Sequence, residues 1–117
     1  LDQITSAAKT AISYADVVIG YSLYIDLIQP LFNPGQIVEK MPITQERQRA
    51  ERAIELANFG LTVAVVSSGD SGMYGMAGLV LEQLREVSVD MLTVILIGNQ
   101  STGIYNNWMI TPRGYLG

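Results

Sequence analysis

Between Ala64 and Gly78 the chain reads AVVSSGDSGMYGMAG, with Gly69, Gly72, Gly75 and Gly78 recurring at every third position after an apolar run. In a turn, Gly69 and Gly72 can take backbone angles closed to other residues or let a ligand approach the main chain. Inside a following helix, Gly75 and Gly78 can let that helix pack close to a sheet. The two glycine patterns that cradle phosphates do not fit: no Gly-Lys-Ser/Thr follows, and the Gly-x-Gly-x-x-Gly spacing is not met. Asp70 in the turn repels phosphate but tolerates a positively charged centre, which favours a sulfonium or an amine as ligand. The same carboxylate suits the first turn of a helix, and the two roles are compatible. A turn whose glycines serve packing only is the competing reading, and the position at a strand end favours the ligand.

Composition narrows the chemistry. A chain of 117 residues with 49% hydrophobic residues can bury the core of one globular domain. Its formal net charge of −4 argues against a nucleic-acid partner. Arg47, Arg49 and Arg52 form the one basic cluster and are interleaved with Glu46, Glu51 and Glu55, which predicts a solvated helix face. No cysteine or histidine occurs, so disulfides, Cys or His zinc ligation and imidazole acid–base catalysis drop out, and no metal site is expected. No apolar run reaches the length of a bilayer span and no signal-peptide pattern opens the chain, so no membrane partner and a cytoplasmic location are expected. The first residue is Leu1 rather than Met, as in an excised or processed piece.

The elements that must position the glycine stretch follow from periodicity. Ala8, Ala11, Ile12 and Ala15 form one helical stripe, capped by Thr5 or Ser6. Asp16–Tyr21 reads as a buried strand, and Ser22 opens a helix carrying Tyr24, Leu27, Ile28 and Leu31 inward until Pro30 and Pro34 break it. Gln36–Met41 is a weaker strand candidate. A helix from near Thr44 turns Ala50, Ala53, Ile54 and Ala57 inward and stops at Gly60. Leu61–Gly69 is a strand apolar on both faces, the glycine-rich turn spans Ser67 to Gly75, and a helix with Met73, Met76, Ala77, Val80 and Leu84 on one face runs to about Arg85. Met91–Gly98 is a last buried strand, followed by a turn-rich, aromatic tail. This alternation predicts an α/β fold, an open, mostly parallel sheet flanked by helices, with ligands received beyond the carboxyl ends of the strands.

VVSSGDSGMYGMAGLVLE, Val65 to Glu82, resembles the second glycine-rich motif of the tetrapyrrole (corrin/porphyrin) methyltransferases. It is most like the precorrin-3B C(17)-methyltransferase and cobalt-factor III group of cobalamin biosynthesis. The likeness extends through ADVVIGYSLYIDLI, the arginine–glutamate helix, DMLTVILIGN and WMITPRGY, covering most of the chain.

The resemblance implies methyl transfer from S-adenosylmethionine to C-17 of precorrin-3B or cobalt-factor III with ring contraction, in a homodimer. It places Gly69, Asp70 and Ser71 at the family's Gly-Asp-Pro segment lining the donor pocket, with Gly72 beside them and Tyr74 at an aromatic position there. Ser71 stands where many relatives have proline, which implies a less rigid turn. Catalytic residues are not assigned, since methyl transfer from a sulfonium needs chiefly in-line placement. The resemblance also implies that a strand and Gly-Pro-Gly loop of the family lie before this chain's first residues. About residues 87–89 the sequence passes directly to the last part of a second domain, skipping a Pro-Gly-Val-Ser type stretch. The chain thus reads as a shortened or internally deleted form: residues 1–88 an incomplete donor-binding α/β domain, and residues 89–117 the strand and tail that end the second domain. The alternative is a non-catalytic α/β fragment that keeps the fold and a dimer surface. Tyr105, Trp108 and Tyr115 line a flat macrocycle or close a core or dimer surface, and Met73 and Met76 face substrate or core.

Overall fold

A computed structural model describes residues 6–42, 44–85, 92–99, 105–111 and 114–116, with the backbone alone described at 68–71, 73, 99, 105–109, 111 and 114–116. Thr5 and the junction at residues 87–89 lie outside the described residues, as do the side chains of Tyr105, Trp108 and Tyr115.

Four parallel strands form the body of the sheet: β1 (Val17–Tyr21), β2 (Ile37–Met41), β3 (Thr62–Ser68) and β4 (Thr93–Asn99). Two antiparallel strands, β5 (Tyr105–Thr111) and β6 (Gly114–Leu116), extend the same sheet in the order β2-β1-β3-β4-β5-β6. The expected α/β layer is therefore present. Within the tail read as turn-rich, Tyr105–Thr111 and Gly114–Leu116 are instead paired strand. Asn106 and Asn107 are poor strand formers, and the open edge of β4 supplies the ladder that local propensity lacks.

Strand alternation divides the core in two. Val17, Ile19, Val63, Val65, Val94 and Leu96 face α3 (Glu46–Asn58) and α4 (Gly69–Leu84). Val18, Ala64, Val66, Ile95 and Ile97 face α1 (Ser6–Tyr14) and α2 (Ser22–Ile28). Burial on both faces is why these strands read as unbroken apolar runs. The edge strand β2 leaves Ile37 and Val38 exposed, and its sequence signal is correspondingly weak.

Three expectations change. On α2 the inward residues are Ile25 and Ile28, while Leu27 is exposed and Leu31 belongs to a 3-10 turn at Gln29–Leu31 that contains Pro30. With only seven residues, α2 presents a single inward face, and the i, i+3 pair of isoleucines fills it. On α3 Arg49 is not solvated but buried, in line with Ala53 and Ala57. On α4 Gly75 and Gly78 face outward, and a Cβ built at either would meet nothing among the described residues within 4 Å, so neither brings the helix closer to the sheet. The left-handed stop at Gly60 is present (φ +93°), where its N–H donates to the Ala57 carbonyl at 2.9 Å and closes α3.

Candidate functional site

At the carboxyl edge of the sheet, β1 runs directly into α2 and β3 directly into α4, with no intervening residue. The stretch from Gly69 to Gly75, expected as a turn, is thus the opening of a helix, and the positive-φ glycines among the described residues are Gly35 and Gly60. Once the strand ends at Ser68, Asp70 and Ser71 fall in the first turn of α4, and the glycines there adopt ordinary helical angles. α3 enters the same edge after residues 42–45, so the amino termini of α2, α3 and α4 converge there.

Between them lies a cleft of about 140 Å³. Tyr21 and Tyr24 form one wall, their rings edge to face with centroids 5.4 Å apart. Arg49 and Glu46 of α3, Val66 and Ser67 of β3, and Gly72 and Met76 of α4 complete it. Arg49 is 6% exposed, and its Nη1 donates to the Pro42 carbonyl at 2.7 Å. Burial lowers the pKa of its guanidinium from the ordinary arginine value, against the opposing pull of Glu46 and Tyr24. Ser67 follows Val63 and Val65 in strand alternation, so a hydroxyl occupies the next position of the core-facing row. Arg49 Nε and Ser67 Oγ are both enclosed, and neither has a hydrogen-bond partner among the described residues.

Two larger hollows among the described residues lie elsewhere. One of about 500 Å³ runs along β2 and α3 past Glu39, Gln48 and Arg52, and one of about 400 Å³ lies by Ile25, Phe32 and Val38. Neither includes a residue of the glycine stretch or an enclosed unpaired polar atom among the described residues.

Of the residues singled out in the sequence, Gly72 lines the cleft. Gly69, Asp70 and Ser71 stand one turn or less away along the α4 backbone, with the side chains of Asp70 and Ser71 outside what is described. Tyr74 is 60% exposed and is not among the cleft residues. Arg49, Ser67, Tyr21 and Tyr24 were not anticipated. The signal for two of them was nonetheless present: Arg49 lies one turn before Ala53 on the stripe of Ala50, Ala53, Ile54 and Ala57, and Ser67 extends the row of Val63 and Val65.

A family profile for Tetrapyrrole (Corrin/Porphyrin) Methylases matches residues 1–95. This chain belongs to the tetrapyrrole methylase family. It is 49% identical over 85 residues to a cobalt-factor III methyltransferase of Priestia megaterium, covering 73% of this chain and 16% of that protein. It is 39% identical over 95 residues to a probable cobalt-factor III C(17)-methyltransferase of Salmonella typhimurium, covering 81% of this chain and 39% of the relative. Among solved structures it is similar to the methyltransferase CobJ, with a TM-score of 0.62 and 34% identity over 73% of this chain and 35% of that one. The chain therefore spans well under half the length of these tetrapyrrole methylase relatives.

Proposed function

We propose that this chain carries one wall of the ligand site of an S-adenosylmethionine-dependent methyltransferase of cobalamin biosynthesis, acting on C-17 of precorrin-3B or cobalt-factor III. The observation that carries this reading is the convergence of three helix amino termini on a cleft lined by Gly72, at the carboxyl ends of parallel strands. The family membership and the cobalt-factor III names of its relatives support the substrate class. A donor held here supplies an electrophilic methyl group. The chain's own part is positional: the bare Gly72 admits close approach to the α4 backbone, and the Tyr21–Tyr24 wall excludes water from one side. A cleft of about 140 Å³ accommodates an arm of such a ligand, since whole-ligand pockets run to about 300–1,000 Å³. Residues 1–88 are accordingly assigned to an incomplete donor-binding unit and residues 89–117 to the end of a second domain, with a homodimer as the working assembly.

Calorimetric titration with S-adenosylhomocysteine tests the reading. Weak, saturable binding is expected, abolished by Gly72→Val while the thermal melt stays close to that of the parent chain. Equal affinity in the variant would remove Gly72 from the donor site. No methyl transfer to precorrin-3B or cobalt-factor III is expected from this chain, because one wall cannot hold donor and acceptor at the about 3–3.5 Å that reaction requires. Complete absence of binding would favour a non-catalytic α/β unit.

A further inference from the structure

Two polar atoms in the cleft share one unmet need. Arg49 Nε and Ser67 Oγ are enclosed and lack partners among the described residues, on side chains 6% and 8% exposed that line the same space. Buried donors left without acceptors are rare in folded proteins because each forfeits its hydration, so two of them without a partner among the described residues, on side chains lining one cleft, point to an acceptor that arrives with a ligand. The acceptor's chemistry follows from the donors. A guanidinium stays charged when buried and offers its N–H groups in a planar fork, and a serine hydroxyl can donate alongside it. A carboxylate has two coplanar oxygens, one for Nε–H and one for the Ser67 hydroxyl, and a single negative charge that complements the buried guanidinium. Glu46, on the same wall, disfavours a dianion such as phosphate. The Tyr21–Tyr24 wall screens the site from water and strengthens a charge-assisted bond.

We propose that Arg49 and Ser67 form a carboxylate subsite, which takes an acid arm of the ligand entering the cleft. Within the methyltransferase reading, on which the source of that arm rests, the carboxylate belongs either to an acid side arm of the tetrapyrrole or to the amino-acid end of the sulfonium donor.

The Nε–H resonance of Arg49, identified by its loss in Arg49→Lys, reports on the subsite directly. Titration with propionate is expected to move this resonance saturably, whereas the neutral isostere propionamide leaves it in place. Ser67→Ala, which removes one donor and keeps the fold's strand, is expected to weaken the propionate response about tenfold. No response to propionate, an equal response to propionamide, or an unchanged response in Ser67→Ala would each overturn the proposal. Uroporphyrin and S-adenosylhomocysteine then separate the sources. Whichever reproduces the propionate shift supplies the arm. A propionate response with no shift from either larger ligand would sustain the subsite and overturn the methyltransferase reading of the cleft.

Discussion

Arg49 and Arg52 stand three residues apart on α3, and the protein treats them in opposite ways. Arg52 lies on the flank toward β2, where its Nε and Nη2 reach Glu39 at 3.0 and 2.9 Å and its Nη1 bonds Glu55. These contacts raise the pKa of its guanidinium above the ordinary arginine value, with the hydrogen bonding it donates to Glu39 the largest cause. Arg49 lies at the carboxyl edge, buried and incompletely paired among the described residues, and burial shifts it the other way. A cation whose donors are met within the chain fastens two elements together. One that is buried with a donor unmet costs stability, and such a cost is commonly tolerated where a ligand is received.

The largest test concerns the ground beneath the cleft. A Cβ at Gly20 would sit 3.1 Å from both Ile25 Cδ1 and Val66 Cβ and 3.2 Å from the Val66 carbonyl oxygen. Val66 is the strand partner of Gly20 and cannot retreat without moving β3. Gly20→Val is expected to destabilise by about 2–3 kcal/mol, seen as a lower urea midpoint. An unchanged midpoint would mean that the carboxyl edge is loosely packed, and the contrast with the flank would lose its basis.

The next test extends the contrast to α4, whose outward positions carry Gly75 and Gly78 where α3 carries charges. With open space beside both glycines, Gly75→Ala and Gly78→Ala should each stabilise by about 1 kcal/mol through helix propensity. A loss of stability in chemical denaturation would restore a packing role for the bare face.

The two arginines themselves should then respond with opposite signs. Arg49→Met is expected to be neutral to about 1 kcal/mol stabilising, because it removes a buried charge whose donors are not all met among the described residues. Arg52→Met should lower the thermal midpoint, since it strands Glu39. Destabilisation of the same sign in both variants would break the comparison.

The smallest effect is pH-dependent. Hydrogen bonds from Arg52 are the main cause of the lowered Glu39 pKa, outweighing desolvation, with charge attraction adding to them. A depressed carboxyl contributes stability that is present above its ordinary value of 4.5 and lost as pH falls through the lowered folded value. Glu39→Gln should therefore be slightly less stable than the parent at neutral pH, with the deficit vanishing in acid. A deficit independent of pH would assign the effect to packing rather than charge.

Local pattern made most of the architecture legible. Unbroken β-branched runs announced β1, β3 and β4, the alanine stripe announced α3, and Gly60 marked its end, because burial on one face or two leaves a periodicity that needs no knowledge of partners. β5 escaped notice because its asparagines resist strand structure until β4 offers an edge.

The site divided in the same way. Residue types by themselves selected the glycine stretch, tied it to a family and brought Gly72 into consideration, since a run of glycines after a strand is a local signature. Only the tertiary structure decided that this stretch is the first turn of a helix, and that Arg49, twenty-three residues before Gly72, shares a cleft with it and with Ser67. Whether an arginine on a charged helix is solvated or buried depends on what lies across from it. Here that is settled by β3 and α4, which close over one end of α3 and leave the flank beside β2 to water.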